Sequence, residues 1–174
     1  MSLSLLLRLL GVVTAALRRP TDLGPFDISV LRLRVLPNDL DPNWHVNNGR
    51  YLTLMDLGRI DLVIRIGYWK IVFGRHWMPV LGGATICFQR PLGLWQRYEL
   101  RTRLVGWDEK WLYLEQEFVA EGKTYASAYV KGLFRGREGS IPTAEFLRAA
   151  GFEFTSPPLP EAVRQWQLMD QPLS

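Results

Sequence analysis

The sequence predicts an α+β domain in which an antiparallel sheet of about five strands wraps around one long central helix. Three observations point there. One strand-like segment comes first, a helical stretch without a clean polar face follows it, and a run of segments alternating with period two comes after. A helix that is apolar on more than one side is buried only if the sheet curls around it. With 174 residues, 48% of them apolar and seven of them Trp, a single core forms without disulfide or metal.

Residues 1–24 read as an apolar N-terminal helix and linker. Met1 to Leu17 is rich in Leu, Val and Ala, is interrupted by Arg8 and ends at Arg18-Arg19-Pro20. A secretory signal would begin with a basic region, and none precedes Leu3. The apolar run is also short for a bilayer crossing. Three roles stay open: a helix docked on the domain or on a dimer partner, a helix lying in a membrane interface, or a weak membrane anchor. Pro20 and Asp22-Leu23-Gly24-Pro25 supply the linker.

Residues 25–138 carry the main domain. Leu31, Leu33 and Val35 alternate with Arg32 and Arg34, which predicts a strand from Ile28 to Leu36, stopped by Pro37. Asn38 to Asn48 is rich in Asn and Asp and reads as a loop. From Asn48 to Ile66 the pattern is helical, with Gly67 as its stop. A short amphipathic piece over Tyr68–Phe73 follows, and Gly74 and Pro79 are expected to break the chain. Strands are predicted over Ala84–Gln89, Arg97–Val105, Trp111–Val119 and Tyr125–Phe134, with turns at Asp108-Glu109-Lys110 and Gly122. Residues 139–174 form a helical extension, Thr143–Ala150 and Pro160–Met169, separated by Pro157-Pro158. This order of elements is that of the hotdog fold. One face of such a sheet is left to be covered, so a homodimer or tetramer is expected.

Composition narrows the function classes. The single cysteine, Cys87, excludes an internal disulfide and fits a reducing, cytoplasmic setting, with membrane association left open by residues 1–19. With only His45 and His76 as imidazole ligands, no metal is expected. The net charge of +4 and pI near 9.5 come mostly from arginine. That suits an acidic partner such as a CoA diphosphate or an anionic lipid, or simply a basic surface. No helix-turn-helix or RNA-recognition motif is present, so nucleic acid is not expected as a partner.

Asp39, Asp41, His45, Asn47, Asn48 and Tyr51 crowd into the connection between the first strand and the buried helix. The first amides of a helix lack internal partners and carry partial positive charge. An acyl oxygen placed there is polarised as it becomes negative. A carboxylate just upstream, Asp41, can attack the carbonyl carbon or activate a water. Each residue also has a plainer role. Asp41 can form an Asx-turn ahead of Pro42-Asn43, and Asn47 can be the helix N-cap. His45 can be a hydrogen-bonded loop residue, and Tyr51 and Met55 can be core packing. Asp56 and Arg59 can be an intrahelical pair. Gly82-Gly83 can let a ligand or a neighbouring backbone approach. Arg90, Arg97, Arg101 and Arg103 can meet CoA phosphates or form a solvated strand face.

The run Leu40-Asp41-Pro42-Asn43-Trp44-His45-Val46-Asn47-Asn48-Gly49-Arg50-Tyr51-Leu52, followed by Asp56 and Arg59, resembles the signature of 4-hydroxybenzoyl-CoA-type thioesterases. Phe88-Gln89-Arg90-Pro91 and Glu99 to Phe118 are similar to thioesterase superfamily member six and its bacterial relatives. The resemblance spans roughly Val30 to Phe134. It implies hydrolysis of an acyl-CoA thioester without a cofactor, CoA being part of the substrate. Asp41 would be nucleophile or general base, the Asn48 amide would polarise the carbonyl, and His45 and Asn47 would shape the site. Gly49, Tyr51, Trp44 and Arg90 complete the expected substrate contacts. Trp44 departs from the family pattern, which often has Gly before the His. That bulky ring leaves a second reading open, a non-catalytic acyl-CoA or lipid-binding protein at a membrane surface. A hotdog hydratase would carry Asp-x-Asn-Pro-x-His, which is absent.

Overall fold

The computed structural model describes residues 3–19, 23–151 and 155–169; the linker residues Pro20 and Asp22 lie outside them. Helix α1 (Leu3–Arg18) precedes strand β1 (Ser29–Arg34), a 3-10 turn (Pro37–Asp39) and the long helix α2 (Asn48–Arg65). After α3 (Trp69–Gly74) come β2 (Met78–Phe88), β3 (Arg97–Trp107), β4 (Leu112–Ala120) and β5 (Lys123–Gly136). A short β6 (Gly139–Ile141) and helices α4 (Thr143–Ala149) and α5 (Glu161–Met169) close the order. The sheet runs β1-β3-β4-β5-β2 with antiparallel neighbours, and β6 pairs with β5.

The core lies between α2 and the sheet. Tyr51, Leu54, Met55 and Leu57 of α2 pack with Leu31, Leu100, Phe118 and Val130 from four strands. Gly58 explains how closely the helix approaches. A Cβ there would stand 2.6 Å from Thr102 Oγ1 and 2.8 Å from a Leu100 methyl. The helix begins at the Asn47 cap, whose side chain accepts the Gly49 N–H. It ends in a Schellman arrangement: Gly67 has φ +82°, its N–H reaches Ile64 O, and the Tyr68 N–H reaches Val63 O.

Helix α1 is docked on the domain. Leu5, Leu9 and Val12 join the same core, while Leu6, Leu7, Leu10 and Leu17 are exposed. Among the described residues no helix is long and apolar enough to cross a membrane.

The largest departure from the sequence reading is β2, which starts at Met78 rather than Ala84. Pro79 does not break it. β2 is an edge strand with only β5 beside it, so the absent N–H interrupts no second ladder. A register shift between Leu81 and Gly83 carries the strand through its glycine pair. Neither ligand nor backbone fills that space. A Cβ on Gly82 would lie 2.1 Å from the Trp111 ring, and one on Gly83 would lie 3.0 Å from Trp166. Lys131 is buried between the two indoles, 5.0 and 5.2 Å from their centroids. These rings, with fully buried Val163, seat α5 against the sheet. Strand β6 carries no periodic signal and was not expected.

G82A should therefore lower stability by about 1–3 kcal/mol, because the Trp111 ring has to leave its rotamer. At Gly93 an added Cβ meets nothing within 4 Å, so G93A should stay within about 0.5 kcal/mol of wild type. Urea unfolding of both variants checks this; equal midpoints would refute the close approach.

Candidate active site

The connection from β1 to α2 is organised by one carboxylate. Asp39 is buried, and its side chain is fully inaccessible. Its Oδ1 accepts from Arg8 Nη1 at 3.1 Å and Arg50 Nε at 2.9 Å. Its Oδ2 accepts from Arg8 Nη2 at 2.7 Å and the Leu36 N–H at 2.9 Å. Arg8 belongs to α1 and Arg50 to α2, so one charge joins two helices and the turn between strand and loop.

Beyond Asp39 the chain doubles back on itself. The Asn47 N–H donates to Asp39 O at 2.9 Å, Leu40 bridges Val46, and the Asp41 N–H donates to His45 O at 2.8 Å. Two contacts pin this ladder to the connection between β2 and β3: Val46 N–H to Leu92 O at 2.9 Å, and a bridge from His45 to Gly93. Asp41 is thus two rungs from the residue that caps α2, a separation of roughly 7 Å along the ladder at about 3.3 Å per rung.

Asp41 is half-buried. Its Oδ1 accepts from the Asn43 N–H at 2.9 Å and, more weakly, from the His45 N–H at 3.4 Å. That is the Asx-turn expected as the plainer role. The turn uses one oxygen only, and Oδ2 has no hydrogen-bond partner among the described residues. Trp44, at the tip, is 70% exposed with φ +62°. This left-handed conformation favours glycine, the residue common here in the family it resembles. His45 is exposed, held by its backbone and not by its ring.

At the helix start the two amides differ. Gly49 N–H already donates to Asn47 Oδ1 at 2.9 Å, whereas Asn48 N–H donates to nothing among the described residues. The amide of Gly49, expected as a substrate contact, is spent on capping. Tyr51 is core rather than a surface contact, its ring edge-on to Phe88 at 5.1 Å and Phe118 at 4.8 Å. Burial pushes its phenol pKa up, opposed by a hydrogen bond from the Leu92 backbone. Arg90 is exposed and donates to Thr124 O at 2.8 Å.

The α2 pair is present as expected: Arg59 meets Asp56, and its Nη1 donates to Gln116 Oε1 at 2.8 Å. Burial lowers the Arg59 pKa, with Asp56 opposing. Gln116, fully buried, also donates to Met55 O and Thr102 Oγ1, both at 3.0 Å. Sequence reasoning missed Arg8, Gln116 and Leu92. Only Arg8 left a trace, as a charge inside an apolar helix. Among the described residues no cluster of His, Cys, Asp and Glu could hold a metal.

An open groove of about 880 Å³ lies elsewhere, against Arg8, Arg34, Arg97 and Tyr98, and none of residues 41–51 lines it. The β2–β3 connection that pins the loop leads back to β2, whose outer edge is open. Its residues are almost all exposed, including Met78, Val80, Leu81 and Phe88, and Phe88 is the ring that packs on Tyr51.

A family model described as the thioesterase-like superfamily matches residues 35–167. The chain is 40% identical over 121 residues to Protein THEM6 of Danio rerio, covering 68% of this chain and 59% of that one. It is 36% identical over 135 residues to Protein THEM6 of Xenopus laevis, covering 76% and 63%. It therefore spans about three fifths of these curated relatives. Among solved structures, the probable thioesterase YbaW of Escherichia coli superposes with TM-score 0.64 at 22% identity, covering 70% of this chain and 94% of that one. That likeness shows the fold: the sheet wrapped around a central helix is the hotdog.

Removing the carboxylate charge at residue 39 should be costly. D39N keeps one oxygen for the Leu36 N–H but leaves Arg8 and Arg50 without their anion, a loss of about 3–5 kcal/mol. Urea denaturation checks it; a loss under about 1 kcal/mol would mean that the clasp does not organise the loop.

Proposed function

The chain belongs to the thioesterase-like superfamily, and from that premise we propose that it hydrolyses an acyl-CoA thioester with Asp41 as nucleophile or general base. The observation that carries this reading is the split use of the Asp41 carboxylate: one oxygen is fixed in the turn and the other has no partner among the described residues, two rungs from the cap residue that precedes the Asn48 amide.

Two routes balance. Asp41 Oδ2 adds to the carbonyl carbon, the C–S bond breaks, CoA leaves as thiolate, and water then hydrolyses the acyl-aspartate. Alternatively Asp41 takes a proton from water, the hydroxide adds to the carbonyl, and CoA again leaves as the sulfur anion. In both, negative charge grows on the carbonyl oxygen, where the Asn48 N–H stabilises it, aided by the partial charge of the α2 N-terminus. His45 and Trp44 would border the acyl group from the loop.

The exposed edge of β2 argues for a second copy of this chain. A long apolar edge strand with unpaired backbone groups is an aggregation hazard unless covered. Edge-to-edge pairing about a two-fold axis buries it and supplies a facing wall for the loop through Phe88. The exposed Trp44 favours the other reading, acyl-CoA binding without turnover, and the same assay separates the two.

D41N should cut turnover of acyl-CoA substrates by about 10²–10⁴-fold. Asn keeps an oxygen for the Asn43 and His45 amides, so its melting temperature should stay near wild type. A wild-type protein that binds acyl-CoA without releasing thiol, or a D41N variant with unchanged rates, would reject the proposal. Light scattering should give at least twice the 20.1 kDa chain mass; a monomer at micromolar concentration would remove the assigned role of β2.

A further inference from the structure

The groove beside β1 is a concentration of unbalanced charge. It is lined by Arg8, Arg32, Arg34, Arg97 and Arg101, with Glu99 and Glu121 as its only acids. The antiparallel register sets Arg34 directly opposite Arg97, and both are exposed. Like charges facing across a sheet disfavour the pairing. Neither makes an ion pair among the described residues. The remaining arginines do not relieve them. Arg32 and Arg101 share Glu99, Arg8 is bound to Asp39, and Glu121 accepts from Gln96.

Arg8 also makes the groove continuous with α1. The side of α1 turned away from the core carries Leu6, Leu7, Leu10 and Leu17, with Leu7 60% and Leu10 53% exposed. Their spacing is that of one helical face, and Arg18 and Arg19 are exposed just beyond it. An apolar helical face edged by arginine suits a helix lying in the headgroup region of a bilayer. Arginines beside it meet phosphate and carboxylate headgroups.

We infer that the protein docks peripherally on an anionic phospholipid surface, with the outer face of α1 buried among acyl chains and Arg34 and Arg97 on the headgroups. Charge complementarity selects this occupant over the phosphates of the CoA substrate. A soluble CoA would leave the leucines uncovered, and the groove contains no residue of the loop that would receive its thioester. The inference does not depend on hydrolysis, since binding is read without turnover.

The test is co-sedimentation of the full chain with vesicles of phosphatidylcholine alone and of phosphatidylcholine mixed with phosphatidylserine. Binding to the mixed vesicles is expected, weakening as salt rises. R34E/R97E should lower that binding by at least about tenfold, and L7E/L10E should abolish it. All four side chains are exposed, so circular dichroism melts should match wild type. Absence of binding to the mixed vesicles at low salt overturns the inference. So does equal binding to both vesicle types. Loss of the oligomer in L7E/L10E, measured by light scattering, would assign the leucine face to a second copy and overturn it as well.

Discussion

A single buried carboxylate sets the geometry of the connection from β1 to α2. Burying the Asp39 charge costs several kcal/mol in lost hydration. Two guanidiniums and one backbone amide offset that cost, each from a different segment. Such a cluster contributes little net stability compared with apolar side chains of the same volume. What it contributes is position, because the charge tolerates only arrangements in which all its donors converge. Once Asp39 is fixed, its carbonyl takes the Asn47 N–H, and residues 40 to 46 have only the folded-back path left to them. Helix α1 thereby becomes part of the scaffold of the loop through Arg8.

Within that path, the turn and the proposed chemistry draw on the same carboxylate without competing. An Asx-turn needs one acceptor oxygen, and the carboxylate of Asp41 has two. The tip tolerates a strained residue because the ladder on both sides leaves no alternative. Trp44 holds φ +62° at a cost of about 1–2 kcal/mol. Trp95 has the same φ, on the β2–β3 connection that pins the loop through Leu92 and Gly93. Two exposed indoles in left-handed conformations on neighbouring connections are hard to justify by stability.

Much of this was legible in the sequence, and what was hidden has a common cause. The central helix, its cap at Asn47 and its stop at Gly67 follow from local rules, and all three sit where those rules put them. The strands Arg97–Trp107 and Leu112–Ala120 announce themselves by alternation because each has one face on the core. The first half of β2 does not, since an edge strand awaiting a neighbour is apolar without alternating, and Pro79 disguises it further. The Asp41 turn was legible as a turn, while its reactive role is an expectation that the resemblance carries. The contacts that hold the turn were not legible. Arg8 is 31 residues from Asp39, and Arg59 is 57 from Gln116. Pairings at such separations depend on how the elements dock, which no local pattern encodes.

The two sides of the sheet are finished in different ways, and the difference bears on function. Helix α5 is packed against the sheet. Val163 and the Trp111–Lys131–Trp166 stack hold it, and Gln167 donates to Asp108 at 3.0 Å. Burial raises the Asp108 pKa, but hydrogen bonds from Tyr113, Trp111, Lys110 and Gln167 outweigh it, leaving the pKa below its usual value. A depressed carboxyl stabilises the fold above about pH 4 and loses that contribution as pH falls through its folded value. The fastening is therefore complete at neutral pH. The β2 edge has no comparable fastening among the described residues; its Met78, Val80 and Leu81 side chains are exposed, and Phe88 reaches α2 through Tyr51. The sheet is thus sealed by α5 on one side and left apolar along the β2 edge. The second copy proposed above would pair along that edge, which α5 does not cover.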